Sequence, residues 1–170
     1  ALPGLWYSAT VSNNISSLGV RASLSDRLYT YGGTVWWMPT THEFGPRGAY
    51  GDWEMHDELA TRFGVSYTKS PEQDFRSTTG SNPENSTLRL ADSVNLFETG
   101  ALASGVSVNE ADYSVLALDA GFKYKGIFFQ TELYERRLDR FLADGPLPVS
   151  EIVDRGFYVG ELQAGYGVHG

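Results

Sequence analysis

The sequence predicts an all-β chain whose antiparallel sheet has one apolar and one polar face, the pattern of a transmembrane β-barrel wall. Three observations point there. The stretch Ala111–Arg137 (ADYSVLALDAGFKYKGIFFQTELYERR) alternates apolar and polar residues on both sides of a short turn, and side chains alternate along a strand with period two. Aromatic residues make up 14% of the chain, and 19 of its 170 residues are Gly, a composition suited to sheets with tight turns. No run of about 18 apolar residues occurs, so no segment suits a membrane helix, whereas barrel strands need only about 9–11 alternating residues. A soluble sheet with an aromatic core satisfies the same alternation and stays open as the alternative.

Along the chain, Gly4–Asn13 sets Leu5, Tyr7, Ala9 and Val11 against Trp6, Ser8, Thr10 and Ser12, a first strand. Asn13–Gly19 is a polar connection. Arg27–Met38 is a second strand, rich in Tyr and Trp, in which Gly32-Gly33 allows a bend or bulge. Met38–Met55 has the Pro and Gly content of a loop. Leu59–Ser70 is a third strand, with Phe63, Val65 and Tyr67 opposite Arg62, Gly64 and Ser66. Pro71–Asn85 reads as a long polar loop, Ser86–Phe97 as a short strand or helix, and Glu98–Glu110 as loop.

The hairpin follows. A turn on Lys125-Gly126 pairs Tyr124 with Ile127 and Lys123 with Phe128, which places both apolar sets on one face and both charged sets on the other. Asp139–Asp154, carrying Asp144-Gly145-Pro146, reads as another long loop, and Arg155–Val168 as a last strand. The total is six or seven strands, with short turns expected on one rim and long loops on the other, as in outer-membrane barrels. Trp36-Trp37, Tyr124, Phe128-Phe129 and Tyr158 fall near strand ends, where interfacial aromatic belts sit.

Charge narrows the function. The formal net charge is -8, and no Lys/Arg cluster dense enough for a phosphate backbone occurs, which argues against nucleic acid. Net charge says little about a channel, because outer loops and lining act in different places. There is no cysteine, and no charged-then-apolar leader opens at Ala1; the expectation is a removed leader or a start inside a longer protein.

The wet face of the predicted sheet carries Arg62, Asp119, Lys123, Glu132 and Arg136. The hairpin register sets Asp119 opposite Glu132, a like-charge pair that needs a cation between its members; Arg62 or Arg136 could supply it. Basic side chains lining water attract anions. His42-Glu43 and His56-Asp57-Glu58 put His beside carboxylates, but no spacing for three or four convergent metal ligands is evident, so they read as loop decoration. No GxSxG elbow occurs, and Glu132 and Glu135 fall on opposite faces of one strand, unlike a glycosidase pair. The expectation is no enzyme and no cofactor. Asn14-Ile15-Ser16 and Asn85-Ser86-Thr87 match the glycosylation triplet, a pattern frequent by chance.

Four segments taken in order carry a resemblance: TVWWMPTTHEFGP (Thr34–Pro46), DELATRFGVSYTKSPE (Asp57–Glu72), NPENSTLRLADSVNLFETGAL (Asn82–Leu102) and ADYSVLALDAGFKYKGIFFQTELYERRLDRF (Ala111–Phe141). Together they resemble the phosphate-selective porin O and P family of Gram-negative outer membranes, over most of Leu5–Tyr158; from about Gly160 the likeness ends. The resemblance implies a trimeric, water-filled barrel of about sixteen strands, embedded among lipid and lipopolysaccharide, that passes small anions such as phosphate. Arg62, Lys123, Arg136, Asp119 and Glu132 would then line the pore, and Arg89, in STLRLAD, would sit on a loop folded into it. Such a barrel needs roughly 300 residues or more at about ten per strand plus connections. Residues 1–170 are therefore expected to be one barrel domain, an incomplete portion of a larger barrel; the alternative is a small eight-stranded outer-membrane barrel with one more strand than the alternation shows.

Overall fold

The computed structural model describes residues 2–13, 15, 28–45, 51–74, 88–159 and 163–164. Among them there is no helix. The strands are β1 (Leu5–Ser12), β2 (Thr30–Trp37), β3 (Ala60–Gln73), β4 (Val108–Tyr124), β5 (Ile127–Ala143), β6 (Glu151–Val159) and the short β7 (Gln163–Ala164). β1 to β6 lie side by side in chain order, every pair antiparallel; β7 continues along β5 after β6. This is an open meander. Among the described residues β1 pairs with β2 and β6 with β5, and the sheet does not close.

The β4–β5 hairpin has the expected register, Tyr124 opposite Ile127 and Lys123 opposite Phe128. Its turn residues Lys125 and Gly126 have φ of 47° and 82°, the positive values of the primed turns whose twist matches paired strands. Other boundaries differ from the sequence reading. β3 runs through Pro71 to Gln73, and β5 runs on to Ala143, so the long loop expected over Asp139–Asp154 shrinks to 144–150. The charged residues there do not end the strand, because they pair across it: Arg137 reaches Glu151 at 3.7 Å. The ladder passes Gly32-Gly33 with no register shift, so there is no bulge. Within the expected strand or helix at Ser86–Phe97, the described part is a tight reversal with a bridge between Arg89 and Asn95. Asn14 and Ser16 of the first glycosylation triplet, the whole of the second, and most of the Asn13–Gly19 and Pro71–Asn85 connections lie outside the described residues, as does the tail of the Arg155–Val168 strand beyond Ala164.

The rims also depart from expectation. The connection 38–59 is long, yet it joins β2 to β3 at the same end as the two-residue β4–β5 turn. Short turns and long loops are therefore not segregated. The described parts of the connections 38–59 and 74–107 fold back onto the polar face, and the hydrophobic clusters form there. Phe44 and Met38 pack on Ala60 and Phe128 at one end. Leu88, Leu96 and Phe97 pack on Val108, Ala111 and Leu138 at the other.

Candidate functional site

Register carries the alternation across the whole sheet. Leu5–Trp37–Phe63–Ala120–Thr131–Val159 is one row, and Tyr7–Val35–Val65–Leu118–Leu133–Phe157 the next. All the large side chains of these rows are exposed, from Val35 at 40% to Tyr7 at 81%. Aromatic rings associate along this face: Phe122 stacks on Phe129 at 5.6 Å, and Trp37 tilts against Phe63 at 6.4 Å. Beyond Tyr67, Leu116 and Leu133 the same face turns charged. Lys69 pairs with Asp112 at 3.3 Å, and Arg155 with Glu135 at 2.8 Å. An apolar band thus ends abruptly at an ionic rim.

The apolar run Leu116–Tyr124 spans roughly 27 Å at about 3.4 Å per residue. Tilted by about 40°, it projects to about 20 Å, near the 25 Å apolar belt of outer-membrane barrels. The expected belt aromatics divide between faces. Trp37, Tyr124 and Phe129 share the apolar face, whereas Trp36, Phe128 and Tyr158 lie on the polar one, and Phe128 is buried under Phe44. Among the described residues none covers the aromatic face.

The polar face has two halves. Across β1–β3 it is a carpet of hydroxyls: Ser8, Thr10, Thr34, Ser66 and Thr68, with Thr34 and Ser66 hydrogen-bonded at 2.9 Å. Across β3–β6 it is charged. Asp119 stands opposite Glu132, as the register required, and the cation that pairs with Asp119 is Arg62, reaching it from β3. Its Nε donates to Asp119 Oδ1 at 3.1 Å and its Nη2 lies 3.0 Å from the same oxygen. Gly64 makes this possible: it faces Asp119 directly across the ladder, and a Cβ there would collide with the carboxylate. Phe44 and Trp36 rings stand 5.1 and 6.0 Å from the Arg62 guanidinium.

The remaining sequence-derived residues separate. Arg136 is committed elsewhere: Nη2 pairs with Asp154, and Nη1 donates to the Arg89 carbonyl at 3.0 Å, tying the 88–107 connection to the sheet. Arg89 is exposed, with its side chain bonded to the Ser93 carbonyl. Lys123 is on the polar face but does not line open space. It is fully buried, with its ammonium 4.9 Å from the Phe44 ring and 3.8 Å from Glu54. Its cover is Phe44, which settles against Gly121, where a Cβ would come within 3.1 Å of the ring.

The cluster that sequence reasoning missed lies in the 38–59 connection. His56 donates through Nδ1 to buried Asp52, and its Nε2 lies 2.7 Å from Glu43. Asp52 also accepts the Gly126 N–H at 2.8 Å, and the His56 carbonyl accepts the Lys125 N–H at 2.9 Å, so the connection clasps the hairpin turn. Burial alone would raise the Asp52 pKa; hydrogen bonds from His56 and Gly126 outweigh it and hold the carboxyl below its ordinary value. Burial likewise opposes charge on His56, and the bonds to Asp52 and Glu43 override it, so its pKa rises. The His beside carboxylates was visible in sequence, but the convergence was not, because Glu43 and Asp52 come from opposite arms of a loop.

Compared with protein-family models, with curated proteins and with solved structures, the chain matches none.

Proposed function

We propose that this chain is wall material of a Gram-negative outer-membrane β-barrel, a porin-type channel through which small solutes diffuse passively. The observation that carries the reading is the exposed apolar face, continuous over six strands and bounded by an ionic rim. Soluble monomers rarely expose an apolar patch beyond a few hundred Å², whereas lipid requires one. Lipid also forbids unpaired strand edges, so the reading requires further strands beside β1 and β6. The ordered likeness of four segments to phosphate-selective porins supports a sixteen-stranded, trimeric assembly with a preference for small anions such as phosphate.

In this reading the lining, rather than any catalytic residue, sets what passes. Arg62 and Arg136 each already hold a carboxylate, and Lys123 is covered. Anion preference therefore depends on the balance of these pairs rather than on free cations. The test is single-channel current from the native protein in a planar bilayer, under a salt gradient with phosphate added. Steady conductance with anion preference and phosphate block supports the full reading. Conductance without block removes phosphate alone. A protein that stays soluble without detergent and carries no current overturns it.

A further inference from the structure

The channel reading leaves one cluster unused. Asp52, Glu54 and His56 each offer a ligating atom within 4.8 Å of the others. Glu43 Oε1 stands 2.7 Å from His56 Nε2. Glu43 and Glu54 flank the same piece of backbone: the Gly45 N–H donates to Glu43 Oε2 at 2.6 Å, and both Glu54 oxygens stand 3.1 Å from the point a Cβ on Gly45 would occupy.

The four residues divide by burial. Asp52 is 5% exposed, with one oxygen engaged by His56 Nδ1 and the other by the Gly126 N–H. Holding Nδ1 there turns Nε2 toward Glu43. A carboxylate on the far nitrogen is the arrangement that orients metal-binding imidazoles and fixes their tautomer. Glu43 and Glu54 have exposed carboxylates and give an ion its way in.

We propose that Glu43, Glu54 and His56 Nε2 form a site for a divalent transition cation, with Asp52 as the positioning residue behind the imidazole. The inference is independent of the channel reading. One imidazole nitrogen with carboxylate oxygens is a donor set that suits Zn²⁺ over Mg²⁺ or Ca²⁺, which take oxygen ligands. Around an ion bound at about 2.0–2.2 Å, tetrahedral ligand atoms stand roughly 3.3–3.6 Å apart. Glu43 Oε1, at 2.7 Å from Nε2, is inside that spacing, so binding requires the Glu43 carboxylate to draw back and the Glu54 carboxylate to turn toward the imidazole. The cation replaces the proton shared between Nε2 and Glu43, and it cross-links the two arms of the 38–59 connection. Lys123 opposes it, since its ammonium lies 3.8 Å from Glu54.

The test titrates the full protein in detergent with Zn²⁺ by calorimetry and with Co²⁺ by visible absorption at constant pH. The expected result is saturable binding at a single site, with Co²⁺ displaced by Zn²⁺. Glu43→Gln and His56→Gln should each weaken it about tenfold or more, and Asp52→Asn by a similar factor. Lys123→Met should tighten it, and Glu58→Gln, outside the cluster, should leave it unchanged. Because His56→Gln could loosen the connection, Glu43→Gln, on the exposed side, is the deciding variant. Absence of saturable binding overturns the proposal. So does Zn²⁺ affinity unaltered by Glu43→Gln, or displacement of Co²⁺ by equimolar Mg²⁺.

Discussion

Leu118 and Asp119 are neighbours on β4 that meet opposite surroundings. Leu118 is 46% exposed in a row of equally exposed apolar side chains, while Asp119 is largely enclosed and held by Arg62. A sheet folded in water does the reverse: it buries its leucines and leaves its carboxylates to the solvent. The inversion extends over the described sheet, for the residues buried on the polar face include Lys123, Glu72 and Arg62. The lesson is that this fold invests its internal packing in the polar face. The apolar face is left to whatever surrounds it.

Three substitutions break or sharpen that contrast. The largest effect is expected on the enclosed side. Arg62→Ala leaves Asp119 facing Glu132 without its paired cation, and breaking such an enclosed pair costs about 3–5 kcal/mol. Denaturant unfolding in detergent should show it, and Arg62→Ala with Asp119→Ala should recover part of the loss; a change within about 0.5 kcal/mol would mean the pair behaves as a surface pair.

Leu118→Arg addresses the other face. Near a bilayer midplane it costs about 2–4 kcal/mol, whereas on a wet surface it is nearly neutral, within about 0.5 kcal/mol. Unfolding from lipid vesicles distinguishes the two, and neutrality there removes lipid as the partner of this face. The smallest effect belongs to the β4–β5 turn: Gly126→Ala, at a φ of 82°, should cost about 1 kcal/mol with no change in either face. A larger loss would point to the Asp52 clasp on the Gly126 N–H rather than to the turn itself.

What was legible in the sequence follows the range of the interactions. The hairpin register was readable because two-residue turn chemistry and period-two alternation are local, and they sufficed to put Asp119 across from Glu132. That Arg62 is the arginine paired with Asp119 was not readable, because it depends on how β3 pairs with β4 across a long intervening connection. The last five residues of β5, Asp139–Ala143, fall inside the loop that Asp144-Gly145-Pro146 suggests; in the fold the strand continues past the apolar band through an ionic rim up to that turn. Lys123 was placed on the right face, but alternation cannot say that a loop lies on top of it. The Glu43–His56–Asp52 cluster was hidden for the same reason, its members being neighbours only after the connection doubles back.

The hydroxyl carpet of β1–β3 has a consequence of its own. Ser and Thr hydroxyls both give and accept hydrogen bonds and carry no charge, so this half of the polar face greets a cation and an anion alike. The charged half over β3–β6 does not. On the channel reading proposed above, a solute moving along this surface would meet a wall that is electrically mute on one side and articulate on the other, and discrimination between solutes would come from orientation toward the β3–β6 side.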